Sequence, residues 1–205
     1  MSAHFPLVAI FADESCLGNG KVGDNPGGAG VLAEFRHADG RITRRDLWVS
    51  HPATTNNRMA LQSVIEAFNG LGSKDGRFSV CFTTDSRYIV DGMNSWVHGW
   101  HRNGWKRKTG AIENLALWHD AIRAVGGHEP EWRWVKGHAG HPQNEYANDL
   151  AVRAATTQDR SSGFIESEFD AWLANRRLKS SARSEVAPFP AADVFRASTP
   201  LPRVG

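Results

Sequence analysis

Apolar and polar positions divide this chain into short blocks. Leu7, Val8, Ala9, Ile10 and Phe11 form an unbroken apolar run that ends on Asp13 and Glu14. Such a run predicts a strand buried on both faces over residues 6–13. Residues 30–36 and 42–50 read as two further strands, joined by the turn sequence His37-Ala38-Asp39-Gly40. Met59, Leu61, Val64, Ile65, Phe68 and Leu71 then recur at helical spacing behind the polar start Thr54-Thr55-Asn56-Asn57. Residues 78–82 predict a fourth strand, 87–93 a short helix, 114–125 an amphipathic helix, 131–135 a fifth strand and 144–155 a last core helix. Phe164, Ile165, Phe169, Trp172 and Leu173 fit one more helix beyond it.

Length and charge narrow the class. At 205 residues the chain can bury one sizeable core and carry an appendage. The formal charge of +2 does not mark a nucleic-acid binder by itself, so the distribution of charge matters more. No apolar stretch reaches the ~20 residues of a membrane helix, and no leader pattern is visible, so a cytoplasmic protein without membrane association is expected. Cys16 and Cys81 lack metal-type spacing and are too few for a disulfide framework. Nothing signals an oligomer, and monomer is the default. From residue 180 the chain is rich in Ser, Ala, Pro and Arg and is expected to be disordered.

The candidate chemistry sits where strands end. An unpartnered buried charge is costly, so Asp13 and Glu14 at the end of a buried strand face a cation or open into a cleft. Asp85 repeats that placement after the fourth strand. Thr55, Asn56 and Asn57 open a helix, whose free N–H groups suit an anion such as phosphate, although capping alone accounts for one or two of them. The Gly-rich segment 16–30, with Asn19 and Asn25, either approaches a ligand or simply connects two strands. Residues 96–108 hold four Lys/Arg, two His and three Trp without an acidic residue. Cations interleaved with flat rings suit a sugar-phosphate backbone; a basic helix with its Trp residues turned to the core is the other reading. His138 and His141 lie on a Gly-rich loop, where a His beside carboxylates becomes a proton-transfer candidate.

The motifs DESCLGNG (13–20), TTNNRM (54–59), TTDSRYIVDGMNSWVHGWHRNGWK (83–106), ENLALWHDAI (113–122) and WRWVKGHAGHPQNEYANDLA (132–151) follow one another in an order that resembles the type 1 ribonuclease H family. The resemblance covers roughly residues 6–155. It implies an α/β ribonuclease H-like fold: a five-stranded mixed sheet, its first three strands antiparallel, the fourth and fifth parallel to the first, flanked by helices. It also implies an endonuclease that hydrolyses the RNA strand of RNA–DNA hybrids and leaves 5′-phosphate and 3′-hydroxyl ends. Two Mg²⁺ ions, with Mn²⁺ as a possible substitute, would be held by carboxylates. Asp13 and Asp85 match the family's first and third carboxylates, and His138 matches its loop His. Thr55, Asn56 and Asn57 match contacts to the substrate backbone, with Asn19 or Asn25 joining them. Trp96, Trp100, Lys106, Arg107 and Lys108 match the basic protrusion that grips the DNA strand.

Two positions depart from the family. Its second carboxylate, a Glu on the first helix, is Ala60 here, and its fourth, an Asp on the last helix, is Asn148. Glu14 stands beside the first Asp, an adjacency that resembles type 2 ribonucleases H. Alternation along a strand argues against shared ligation by neighbours, but a strand end can bulge and Glu has extra reach. The expected metal set is therefore Asp13, Glu14, Asp85 and Asn148, with His138 completing the catalytic group. A hybrid-binding protein with impaired catalysis is the alternative. The expected organisation is a ribonuclease H domain over 1–157, a helical extension over 158–179 and a disordered tail over 180–205.

Overall fold

Ten consecutive residues, Leu7–Cys16, form β1, which runs through Asp13 and Glu14 rather than stopping at them. The computed structural model describes residues 5–18, 25–72, 76–137, 139–179 and 185–204. β1 pairs antiparallel with β2 (Gly27–Arg36), which pairs antiparallel with β3 (Ile42–His51). β4 (Ser79–Thr84) lies parallel to β1, and β5 (Glu129–Trp134) parallel to β4. A sixth strand, β6 (Ile165–Glu166), pairs with β3 and extends the expected five-stranded sheet, giving the order β5-β4-β1-β2-β3-β6. It comes from the extension, where two residues are too short a run to leave a sequence signal.

The helices divide between the two faces. α1 (Asn56–Gly72) and α4 (Leu115–Val125) share a core with Val8, Ile10 and Ala12 of β1. α5 (Pro142–Thr157) and α6 (Phe169–Lys179) share the opposite core with Ala9, Phe11 and Leu32. Strand alternation explains the split: successive β1 side chains point to opposite sides. Between β4 and α4, α2 (Arg87–Asp91), a π-helical turn (Gly92–Trp96) and α3 (Val97–Arg102) follow without a break. The π turn passes over Trp118, which lies so close that a Cβ on Gly92 would stand 2.1 Å from the indole.

Two glycines of β2 set the depth of α5. A Cβ on Gly30 would stand 2.2 Å from the Ala147 carbonyl oxygen, and one on Gly28 2.2 Å from that of Ala151. Helix backbone therefore rests directly on strand backbone. This close seating brings the first turns of α5 to the end of β1.

Part of the tail expected to be disordered, residues 185–204, lies among the described residues. Residues 185–204 run across the domain as an extended strap. Gln143, fully buried, donates to the Ala187 carbonyl at 2.8 Å and accepts from the Ala187 N–H at 3.2 Å. Ser198 N–H donates to the Pro130 carbonyl at 2.8 Å beside β5, and Phe195 is 1% exposed. A segment of Ser, Ala, Pro and Arg has little apolar surface to bury, but a few well-placed apolar anchors suffice to dock an extended chain. No helix among the described residues is long and apolar enough to cross a membrane.

Candidate active site

β4 ends at Thr84, level with Ala12, whereas β1 continues four residues further, paired only with β2. One edge of β1 is thus open beside Asp13 and Glu14, and Asp85 enters that opening. Ligand oxygens of Asp13, Glu14 and Asp85 all lie within 4.8 Å of one another. No bulge is required: Asp13 opposes Gly30 and Glu14 opposes Ala29 in regular register. Asp13 follows the α5 face of β1. Glu14 follows the face of Val8, Ile10 and Ala12, which is the α1 face. Ala60 of α1 lies buried in that same core. Glu14 thus approaches from the sheet on the side where α1 offers only a methyl group.

The electrostatics show a cluster short of positive charge. Asp13 is raised from 3.8 to about 7, first by burial and then by the Asp85 charge, against donation from the Glu14 N–H (2.7 Å) and the Asn144 amide (2.9 Å). Glu14 is pushed well above the usual carboxylate range by burial, then by Asp13 and Asp85; only the Ser86 hydroxyl opposes this. Its Oε2 is buried without a hydrogen-bond partner. Hard oxygen donors at this spacing, one of them an orphaned buried acceptor, fit a divalent cation.

α5 supplies the second wall. Asn144, in its first turn, donates from Nδ2 to Asp13 Oδ2. This residue is absent from the sequence-derived site; its spacing of one turn from Asn148 is the signal that could have found it. Asn148 lies on the same face one turn on and is half-buried. Asp149 points elsewhere, accepting from Trp172 Nε1 at 2.7 Å. The loop after β5 also closes on the cluster. Gly137 sits so near Asp85 that a Cβ there would stand 2.2 Å from Oδ2. His138 lies outside the described residues, as does Asn19.

The remaining candidates form two groups. Asn25 reaches the start of α1, where its carbonyl accepts from Thr54 N–H at 3.0 Å. Thr55, Asn56 and Asn57 follow directly, and Asn56 Oδ1 is buried without a hydrogen-bond partner. Trp96 and Trp100 do not stand free. They pack on one another (6.0 Å between centroids), on Tyr88 (5.7 Å from Trp96) and on Trp118 (5.5 Å from Trp100). The Trp residues thus pack inward as in the second reading, while Trp96 remains 38% exposed. A cavity of about 330 Å³ lies between Tyr88, Trp96, Trp100, Arg107 and Glu113. Lys106, Arg107 and Lys108 are exposed on the loop after α3. A larger cavity of about 710 Å³, lined by Arg77, His128 and the strap, lies at the opposite end of β4 and holds none of the carboxylates.

Comparison with known proteins agrees with this geometry. A family profile described as RNase H matches residues 6–156. The ribonuclease H of Neisseria gonorrhoeae is 43% identical over 149 residues, 72% of this chain and 94% of that protein. The ribonuclease HI of Neisseria meningitidis serogroup B is likewise 43% identical over 149 residues, 72% of this chain and 94% of that protein. Among solved structures, LC9-RNase H1, described as a type 1 RNase H with the type 2 active-site motif, is 62% identical, with a TM-score of 0.92 over 98% of this chain and 95% of that one. LC11-RNase H1, solved in complex with an RNA/DNA hybrid, shares the fold at 18% identity and a TM-score of 0.53, over 74% of this chain and 98% of that one. With its family motifs in order, its carboxylates gathered at the open end of β1 and these relatives, the chain belongs to the ribonuclease H family and is a ribonuclease H enzyme.

Proposed function

We propose that this protein is an endonuclease that hydrolyses the RNA strand of RNA–DNA hybrids with two divalent cations, Mg²⁺ or in its place Mn²⁺. On this reading it leaves 5′-phosphate and 3′-hydroxyl ends. One observation carries it: Asp13, Glu14 and Asp85 bring oxygens within 4.8 Å of one another while Glu14 Oε2 remains buried without a partner. Carboxylates so close cannot all ionise cheaply without cations among them. The 62%-identical relative with a type 2 motif on a type 1 fold supports reading Glu14 as the substitute for the Glu that Ala60 replaces.

In this account Asp13, Glu14 and Asp85 hold the cations, and Asn148 adds a neutral oxygen from α5. Cations held there would supply the Lewis acidity that lowers the pKa of an attacking water and offsets charge on a departing ribose oxygen. Asn144 keeps Asp13 aimed by donating to Oδ2, which leaves the other oxygen to the Glu14 N–H. Asn25, Thr55, Asn56 and Asn57 form a polar rim for the substrate backbone, and Asn19, outside the described residues, is assigned the same role. Trp96, Trp100, Lys106, Arg107 and Lys108 take the DNA strand. His138 is assigned proton transfer at the departing product.

The test is a cleavage panel on end-labelled RNA–DNA hybrid, double-stranded RNA and double-stranded DNA, with Mg²⁺, Mn²⁺ or chelator. The expected result is cleavage of the hybrid RNA strand alone, abolished by chelator, with ends resistant to phosphate addition until dephosphorylated at the 5′ side. Binding of hybrid without cleavage in either metal would reject it in favour of a catalytically impaired binder. Cleavage of double-stranded RNA at a comparable rate would reject the substrate assignment.

A further inference from the structure

The family match ends at residue 156, yet the chain beyond it reaches back to the active-site end of the sheet. α6 is pinned by Phe169 and Leu173, both buried in the α5-side core. The turn before it is fixed separately, where Glu168 N–H donates to Asp46 Oδ2 at 3.2 Å. Trp172 and Arg176 follow on one face of α6, a turn apart, and the guanidinium lies 5.2 Å from the Trp172 ring centroid. Arg176 Nη2 meets Glu145 Oε2 in an ion pair that lacks the alignment of a hydrogen bond. The other oxygen of Glu145 accepts the Gly140 N–H at 3.0 Å.

Glu145 therefore joins three elements. It stands beside Asn144, which holds Asp13, and it clasps Gly140, the far end of the loop whose near end, Gly137, abuts Asp85. The Glu145 side chain is only 11% exposed, so its charge needs a counter-charge to stay in place. Arg176 supplies one from outside the family domain.

We propose that Arg176 is a positioning residue for the active site, holding Glu145 so that Gly140 and the first turn of α5 keep their places beside Asp13 and Asp85. The extension is thereby a working part of the catalytic architecture as well as a cover for apolar surface. This rests on the reading of Asp13, Glu14 and Asp85 as the reacting centre.

The experiment compares full-length Arg176→Met, Arg176→Lys, Glu145→Gln and the Met/Gln double variant. Arg176→Met keeps the stem on Trp172 and removes the charge; Glu145→Gln keeps an acceptor for Gly140 and removes the same ion pair from the other side. Each single variant should lower kcat for hybrid cleavage about 3- to 10-fold, with KM within about twofold. The double variant should be no worse than the weaker single one, because both remove one interaction, and Arg176→Lys should recover most of the loss. A lowered Tm with unchanged kcat well below unfolding, or fully additive losses, would overturn the proposal. Glu145→Gln answers the question should Arg176→Met fail to fold. Amide exchange at Gly140 gives a readout independent of catalysis, and should be about tenfold faster in Arg176→Met than in wild type. If the wild-type protein cut no hybrid, the functional reading would fall while the Gly140 exchange still decided the positioning link; unchanged exchange would sink that link.

Discussion

At the scale of single residues, the site is built by side chains that neighbours force into unusual states. Asp13, raised to about 7 chiefly by burial and secondly by Asp85, holds a proton in the folded chain at pH values where the unfolded chain has lost it. A raised carboxylate contributes stability that is full at acid pH and is lost as pH rises through the folded value. The chelated protein should therefore lose Tm between about pH 4 and pH 7, and Asp13→Asn should flatten that slope. Glu14 acts in the same direction. A divalent cation should restore Tm most at the alkaline end, where the carboxylates are charged. Thermal unfolding across pH, with chelator and with Mg²⁺, measures this; a Tm that rose with pH in chelator would contradict it. Gly137 offers a second residue-scale prediction. Its absent Cβ leaves room for Asp85, so Gly137→Ala should push that carboxylate aside, at small cost in Tm but with a loss of about tenfold or more in cleavage at limiting Mg²⁺. Equal activity at limiting metal would show that Asp85 does not need its present position. Asp13, Glu14 and Asp85 were legible in the sequence because a carboxylate at the end of a buried strand needs a cation or a cleft. Asn144 was not, since a single amide in a helix start reads equally well as a cap.

At the scale of elements, composition and periodicity identify the pieces but not where they stop. β1 runs to Cys16, beyond the apolar run, because β2 continues to pair with it after β4 has ended. Nothing in the local sequence encodes a partner's length. That overrun removes the need for a bulge: Asp13 and Glu14 leave opposite faces of the strand and meet around the end of β4. The close seating of α5 on Gly28 and Gly30 is likewise a contact between distant segments. The strap is the clearest case, because its composition signals disorder while its anchors are tertiary. Val186 and Phe189 pack on the α5-side core, Leu201 and Val204 on the α1-side core, and Phe195 is buried between them along the chain. Gln143 is buried with Ala187 as its partner. Removing residues 185–205 should lower Tm by several degrees and leave the buried Gln143 amide without that partner. Differential scanning calorimetry of the truncated chain checks this; an unchanged Tm would mean that the strap merely rests on the surface.

At the scale of the whole molecule, the carboxylate cluster and the basic loop that the proposal assigns to substrate binding occupy different places. The carboxylates lie at the open end of β1, whereas Lys106, Arg107 and Lys108 lie exposed on the loop after α3. Converting all three to Gln should raise KM for hybrid, leave kcat nearly unchanged and flatten the salt dependence of binding. A collapse of kcat with binding intact would place that loop in the reacting centre. The order of elements was legible over the family motifs, because each falls on a strand end, a helix start or the basic stretch, whereas β6 in the extension left no such signal. The route by which Glu14 reaches Asp13 and Asp85 was not, since it depends on the unequal lengths of β1 and β4. The central claim is that Glu14 supplies what Ala60 cannot. The most direct measurement is single-turnover cleavage of RNA–DNA hybrid by Glu14→Gln in saturating Mg²⁺, with hybrid binding and Tm recorded on the same preparation. Cleavage should be lost by at least about a thousandfold while binding stays within a few-fold and the fold is retained. Near wild-type Mg²⁺-dependent cleavage by Glu14→Gln would contradict it.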